Sequence, residues 1–233
     1  MSAIAESIQT YVGVNPDGDI GPKSIKAIAD KLGVSNDIKS IQRAVGVDDD
    51  GEVGPITLKA IFDKFNLKLV PKANGPKVDE IIDIAATQVG VFETSQNHGV
   101  GIEKYWSACD YSEGYNDRAP YCAAFVTWVI REAGIFSEKD RPKTAAAFGY
   151  LEWGDETKGT KVTRHPKSVK KGDITVLEIS HVGIATSDSD ANGNYTSIEA
   201  NTSSGVKGSQ RDGGGVYRRT RNVSILRGTV TLL

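Results

Sequence analysis

Cys122 is the side chain in this sequence best placed to become a nucleophile. It follows Pro120-Tyr121 and opens the apolar run Ala123-Ala124-Phe125-Val126-Thr127-Trp128-Val129. A thiol at a helix start meets backbone N–H groups that lack partners, and the positive end of the helix dipole favours thiolate over thiol. A free thiol titrates at about 8.5, so only about a few per cent is ionised at neutral pH and a base must help. The competing reading is a buried cysteine with no chemistry, which the motif alone does not exclude.

Three histidines are available: His98, His165 and His181. His98 sits in the polar loop Thr94 to Gly99 and His165 precedes a proline, so both read as solvated loop residues. His181 opens Ser180-His181-Val182-Gly183-Ile184-Ala185-Thr186, just after Gly172-Asp173-Ile174-Thr175-Val176-Leu177. Both runs have the length and β-branched content of short strands, with Glu178-Ile179-Ser180 as the turn between them. Alternation puts His181, Gly183 and Ala185 on one face and Val182 and Ile184 toward the core. The small residues beside the histidine leave room for a substrate or a facing thiol.

A further strand is expected in Tyr195-Thr196-Ser197-Ile198-Glu199-Ala200-Asn201, with Glu199 and Asn201 on one face and Ile198 and Ala200 inward. Either polar group can accept the second imidazole N–H, fixing its tautomer and stabilising the imidazolium. The candidate catalytic set is therefore Cys122, His181, Glu199 and Asn201. Its order fits a papain-like nucleophilic site.

These segments together resemble the cysteine-, histidine-dependent amidohydrolase/peptidase (CHAP) family and, next, the wider NlpC-type papain-like clan of cell-wall hydrolases. The matching parts are Tyr121-Cys122-Ala123-Ala124-Phe125, Gly172-Asp173-Ile174, His181-Val182-Gly183-Ile184 and Glu199-Ala200-Asn201. Val89-Gly90-Val91-Phe92-Glu93 resembles the family's first-helix ending, and Trp153-Gly154 fills a familiar position between cysteine and histidine. Tyr121 departs from the tryptophan of many relatives while keeping an aromatic wall beside the thiol. The resemblance spans about residues 78 to 233. It implies hydrolysis of an amide in peptidoglycan through an acyl-enzyme, with the Cys122 backbone N–H in the oxyanion site and Tyr111 or Tyr115 as a second donor by analogy with NlpC-type sites.

Residues 7–34 recur as residues 40–67, with 15 identities in 28 positions. Ser7-Ile8-Gln9 returns as Ser40-Ile41-Gln42, Asp17-Gly18 as Asp50-Gly51, and Gly21-Pro22 as Gly54-Pro55. Each unit reads as helix, turn, helix, with Asp-Gly at the turn and proline in the next helix's first turn. Ile25, Ile28, Ala29 and Leu32 recur at helical spacing, as do Leu58, Ile61, Phe62 and Phe65. One unit is too small for a core, so the two are expected to pack as one helical domain. The pattern resembles the peptidoglycan-binding modules found beside wall hydrolases.

The acidic run Asp48-Asp49-Asp50-Gly51 is not a calcium loop, because the twelfth position is Lys59 where a closing glutamate is required. Asp110, Glu113 and Asp117 do not reproduce the calcium spacing of some CHAP relatives. No metal and no cofactor is expected.

The net charge of −2 gives no case for nucleic acid as a partner. The basic tail residues Arg211, Arg218, Arg219, Arg221 and Arg227 read as a solvated strand face. No stretch reaches membrane-spanning length, so no membrane insertion is expected, and no secretory signal is expected at the N-terminus. A disulfide between Cys109 and Cys122 would silence the nucleophile, so both are expected reduced, as after cytoplasmic synthesis. A monomer is expected, made in the cytoplasm and acting on the wall after release, as a phage endolysin does; an injected antibacterial effector is the alternative. Two further alternatives are a cysteine protease or deamidase acting on protein and an inactive wall-binding protein.

The organisation expected is a helical repeat domain at 1–68, a linker at 69–77 rich in proline and glycine, and a CHAP-like domain at 78–233. The second domain should be α+β: a helix beginning near Val78, a buried central helix from the cysteine to about Ala133 with Gly134 as its stop, and a mostly antiparallel sheet. Strands are expected near 173–178, 181–187, 195–201, 215–221 and 225–232.

Overall fold

In the computed structural model, which describes residues 2–16, 18–67, 77–205 and 213–232, each repeat folds as a pair of helices. The first copy gives α1 (Ser2–Val12) and α2 (Pro22–Leu32), the second α3 (Ile38–Val45) and α4 (Pro55–Lys64). Pro22 and Pro55 take the first helical turn, where a missing N–H leaves no bond unmade. Ile4, Ile8, Ile28, Ala29, Ile41, Leu58 and Ile61 make one buried cluster, so the two copies share a single core.

Each repeat also buries one amide that holds its turn. Gln9 accepts from the Gly18 N–H at 2.8 Å and donates to Asp19 O at 2.8 Å and Ser24 Oγ at 3.0 Å. Gln42 does the same with Gly51 N–H, Glu52 O and Thr57 Oγ1, at 2.9, 3.0 and 3.1 Å. The acidic run is used structurally as well: Asp49 pairs with Arg43 at 2.5 Å and Asp50 accepts from Gln42. Among the described residues no group of His, Cys, Asp or Glu is arranged to hold a metal ion.

The chain divides into compact units Met1–Gly75 and Pro76–Leu233. The expected linker lies outside the described residues except for Lys77, which opens α5 (Lys77–Ala86). The second unit is α+β. After α5 come α6 (Val100–Trp106), α7 (Cys122–Ala133) and α8 (Gly149–Glu156), then strands β1 (Thr160–Arg164), β2 (Ile174–Leu177), β3 (His181–Ala185), β4 (Asn194–Thr202), β5 (Gly215–Asn222) and β6 (Leu226–Leu232). One six-stranded sheet has the order β1-β6-β2-β3-β4-β5, with every neighbouring pair antiparallel.

Nine of the twelve residues of α7 are buried, because the helix lies on β3 and β4 with α5 and α6 packed against it. Gly134 ends it in the left-handed conformation. β2 and β3 form a hairpin in which Leu177 pairs with His181, and both strands are buried throughout. Leu177, Tyr195, Leu226 and Val169 belong to a second buried apolar cluster. The sheet has one strand beyond those expected, the edge strand β1, because Thr160-Lys161-Val162-Thr163-Arg164 is polar and half-exposed.

Candidate active site

The N-terminus of α7 brings Cys122 against the start of β3. Cys122 is a free thiol, 4% exposed, at the first position of the helix. Unpaired N–H groups of the first turn and the positive end of the helix favour negative charge at that position. His181, completely buried, is the neighbour that matters: one ring nitrogen is committed and the other, Nδ1, has no hydrogen-bond partner among the described residues. The Cys122 side chain lies near enough to raise the pKa of this imidazole, and Nδ1 is the ring nitrogen left open to it.

Nε2 of His181 donates to Glu199 Oε2 at 3.0 Å. The carboxylate can only accept, so this bond fixes the tautomer with Nδ1 free to take a proton from sulfur. Glu199 is itself fully buried and fully engaged: Ser197 Oγ donates to Oε1 at 2.6 Å, and Arg221 donates through Nε to Oε1 at 2.9 Å and through Nη2 to Oε2 at 2.6 Å. A row of Cys122, His181, Glu199 and Arg221 results, in which potential charges alternate in sign. Burial pulls the His181 pKa down, but the Cys122 and Glu199 side chains outweigh it and raise the value to about 9. Burial pushes Glu199 up, and the Arg221 fork with His181 overcomes it, holding the carboxyl at about 2.

Gly183 shows how tightly this row is built. A Cβ there would lie 2.5 Å from Glu199 Cγ and 3.2 Å from Ile198 O. The space that Gly183 leaves beside the histidine is therefore taken by the Glu199 side chain, where the sequence suggested room for substrate or thiol.

Asn201 has a different position. A register shift between Glu199 and Thr202, with Asn201 at φ 54°, breaks the alternation that would place both polar groups on one face. With its amide oxygen toward the helix start, Asn201 accepts from the Tyr121 N–H at 3.2 Å and donates to Gly213 O at 3.1 Å. It thus braces the residue preceding Cys122, and of the two polar groups Glu199 is the one hydrogen-bonded to the imidazole. Arg219 and Arg221 correct the reading of a solvated basic face, since both are buried and Arg219 donates to Ser203 O at 2.7 Å. Arg218 is exposed, Arg227 lies over the Phe148 ring at 4.4 Å, and Arg211 is outside the described residues.

The other candidates are engaged with other partners. His98 stacks on Tyr115 with ring centroids 4.0 Å apart, and Tyr115 Oη is 3.3 Å from its Nδ1. His165 is an exposed loop residue 3.7 Å from Glu178. Tyr111 Oη donates to the Asp117 carboxylate. Cys109 donates to Tyr105 O and Thr144 O at 3.9 and 3.7 Å, and burial drives its pKa up to about 11, so it is a structural thiol.

Beside Cys122 opens a cleft of about 220 Å³, walled by Trp106, Tyr111, Ala146, Ala147, Phe148 and Ser180. None of its lining residues is charged. A larger hollow of about 970 Å³ lies past the end of α7, against Phe136 and Trp153, and has neither thiol nor imidazole in its wall.

No protein-family model matches this chain, and no curated protein does. Among solved structures it is similar to the crystal structure of a wild type endolysin, LysIME-EF1, at 18% identity and a TM-score of 0.43. The likeness covers 68% of this chain and 65% of that one.

Proposed function

We propose that this chain cleaves an amide bond of bacterial peptidoglycan by nucleophilic catalysis, as an endolysin-type wall hydrolase. The observation that carries the reading is the buried row at the start of α7, in which His181 lies between Cys122 and a carboxylate locked by Arg221. Cys122 supplies the nucleophile and His181 takes its proton. The thiolate adds to the carbonyl carbon, and the electron pair of the C=O bond moves to oxygen. Collapse expels the amine, which takes the proton from His181 and leaves a thioester; water activated by the imidazole then releases the acid. Glu199 holds the ring and stabilises the imidazolium, and Asn201 braces the backbone that presents the sulfur and its N–H. Peptidoglycan is supported by the motif resemblance of the second unit and by the repeat at residues 7–67. The small uncharged cleft suits the alanyl or lactyl groups of its stem.

Incubating purified sacculi with the full chain and analysing the soluble muropeptides by mass spectrometry tests this reading. New free lactyl ends establish an N-acetylmuramoyl-L-alanine amidase, and new peptide termini a stem-peptide endopeptidase. Intact sacculi, with cleavage of a protein substrate instead, overturn it in favour of a protease. Residues 1–68 are read as the wall-binding part, so the full chain should sediment with sacculi.

A further inference from the structure

Trp106, the last residue of α6, is 2% exposed, and its indole N–H has no partner among the described residues. A buried donor left unpaired is costly, and buried tryptophans normally find an acceptor. The ring is held from the far side. A Cβ at Gly114 would lie 2.1 Å from Cζ3 and 2.4 Å from Cε3, so only glycine allows this approach to the six-membered edge. Tyr111 meets the ring edge-on, with centroids 5.9 Å apart and planes at 86°. The N–H belongs to the opposite edge, and the same indole lines the cleft beside Cys122.

We infer that Trp106 is the side-chain donor of the oxyanion site, its indole N–H holding the substrate oxygen together with the Cys122 backbone amide. This rests on the reading of Cys122 as nucleophile. The donors suggested by analogy are already engaged, Tyr111 with Asp117 and Tyr115 with His98. An indole has one hydrogen to give and no acceptor, so it stabilises the developing negative oxygen without competing with His181 for protons. When thiolate adds to the carbonyl, the oxygen gains a full charge and the bond from Trp106 strengthens; when the C=O bond re-forms and the amine leaves, it weakens again. Trp106 neither gains nor loses a proton. The N–H is closed to solvent in the free chain, so the oxygen can reach it only if the cleft wall moves on binding.

The test uses N-acetylglycinal, whose aldehyde carbon adds Cys122 as a thiohemiacetal and places an oxygen at the same position. Full-length Trp106→Phe, which keeps an aromatic ring against Gly114, should bind the aldehyde about 10²-fold more weakly and lyse sacculi about 10²- to 10³-fold more slowly, with sedimentation on sacculi unchanged. In the unsubstituted chain the Trp106 indole proton, assigned by its loss in Trp106→Phe or, should that variant not fold, by ¹⁵N-indole spectra of Trp128→Phe and Trp153→Phe, should move downfield on aldehyde binding. An unmoved indole proton, or wild-type aldehyde affinity and lysis in Trp106→Phe, overturns the inference. Aldehyde capture without any lysis of sacculi removes the wall reading and leaves the Trp106 assignment standing. No capture at Cys122 removes both.

Discussion

Replacing Arg221 with methionine should be among the costliest single changes in the second unit. Arg221 is buried, and its guanidinium gives Glu199 two forked contacts at 2.9 and 2.6 Å. The carboxyl is held at about 2 against an ordinary 4.5 because Arg221 and His181 overcome its burial. That difference corresponds to about 3 kcal/mol of stability, present above the unfolded value of 4.5 and lost as pH falls through 2. Methionine keeps the bulk and removes the donors, leaving a buried carboxylate with the Ser197 hydroxyl and the imidazole alone. The expected loss at pH 7 is about 3–5 kcal/mol, the usual cost of breaking a buried pair from one side. Urea unfolding followed by tryptophan fluorescence measures it cleanly, since Trp106, Trp128 and Trp153 all lie in the second unit. Adding Glu199→Gln removes the stranded charge, so the double variant should recover about 1–3 kcal/mol relative to Arg221→Met. A loss below about 1 kcal/mol, or a double variant no more stable than the single, refutes the reasoning.

Gly183→Ala should lower the lysis rate by about tenfold or more and stability by about 1–3 kcal/mol, because its methyl meets Glu199 Cγ at 2.5 Å; wild-type rate in a sacculus turbidity assay would contradict this. Asn201→Ala should cost about 1–3 kcal/mol in urea unfolding through the unpaired Tyr121 N–H, while the pH profile of activity keeps its limbs, since the imidazole is bonded to Glu199 instead. Lysis should fall as pH rises through about 9, where the raised His181 loses the proton it must hand to the departing amine; the same group's stabilising contribution is whole below 6.5 and gone above 9. A rate still climbing past pH 10 would show that the imidazolium is not the acid. Iodoacetamide at pH 7 should label Cys122 before Cys109, whose thiol titrates at about 11, as peptide mass mapping will report.

The central helix and the hairpin that carry the thiol and the imidazole were legible because their signals are local. A proline before Cys122, an unbroken apolar run and Gly134 delimit α7, and β-branched runs around a short turn give β2 and β3. The repeat disclosed its shared core through periodicity, and even its two loop-holding glutamines stood among the identities. What could not be read depends on how distant strands align. Arg221 lies opposite Tyr195 and reaches Glu199 diagonally across the β4–β5 pair, a contact set by how the two strands align, which leaves no mark in composition. A register shift beyond Glu199 separates it from Asn201, so spacing alone left two candidates for one role. Trp106 carried no signal as a donor, because its N–H becomes significant only once the fold leaves it unpaired beside the cleft. β1 is polar because it is an edge strand, and its pairing with β6 is what defines it.

The most direct test compares wild type and Cys122→Ala on purified sacculi at equal, verified folding. The full chain should release soluble muropeptides, and the alanine variant should lose activity by at least about 10³-fold while still sedimenting with the wall material. Release at the wild-type rate by Cys122→Ala would contradict the account at its root.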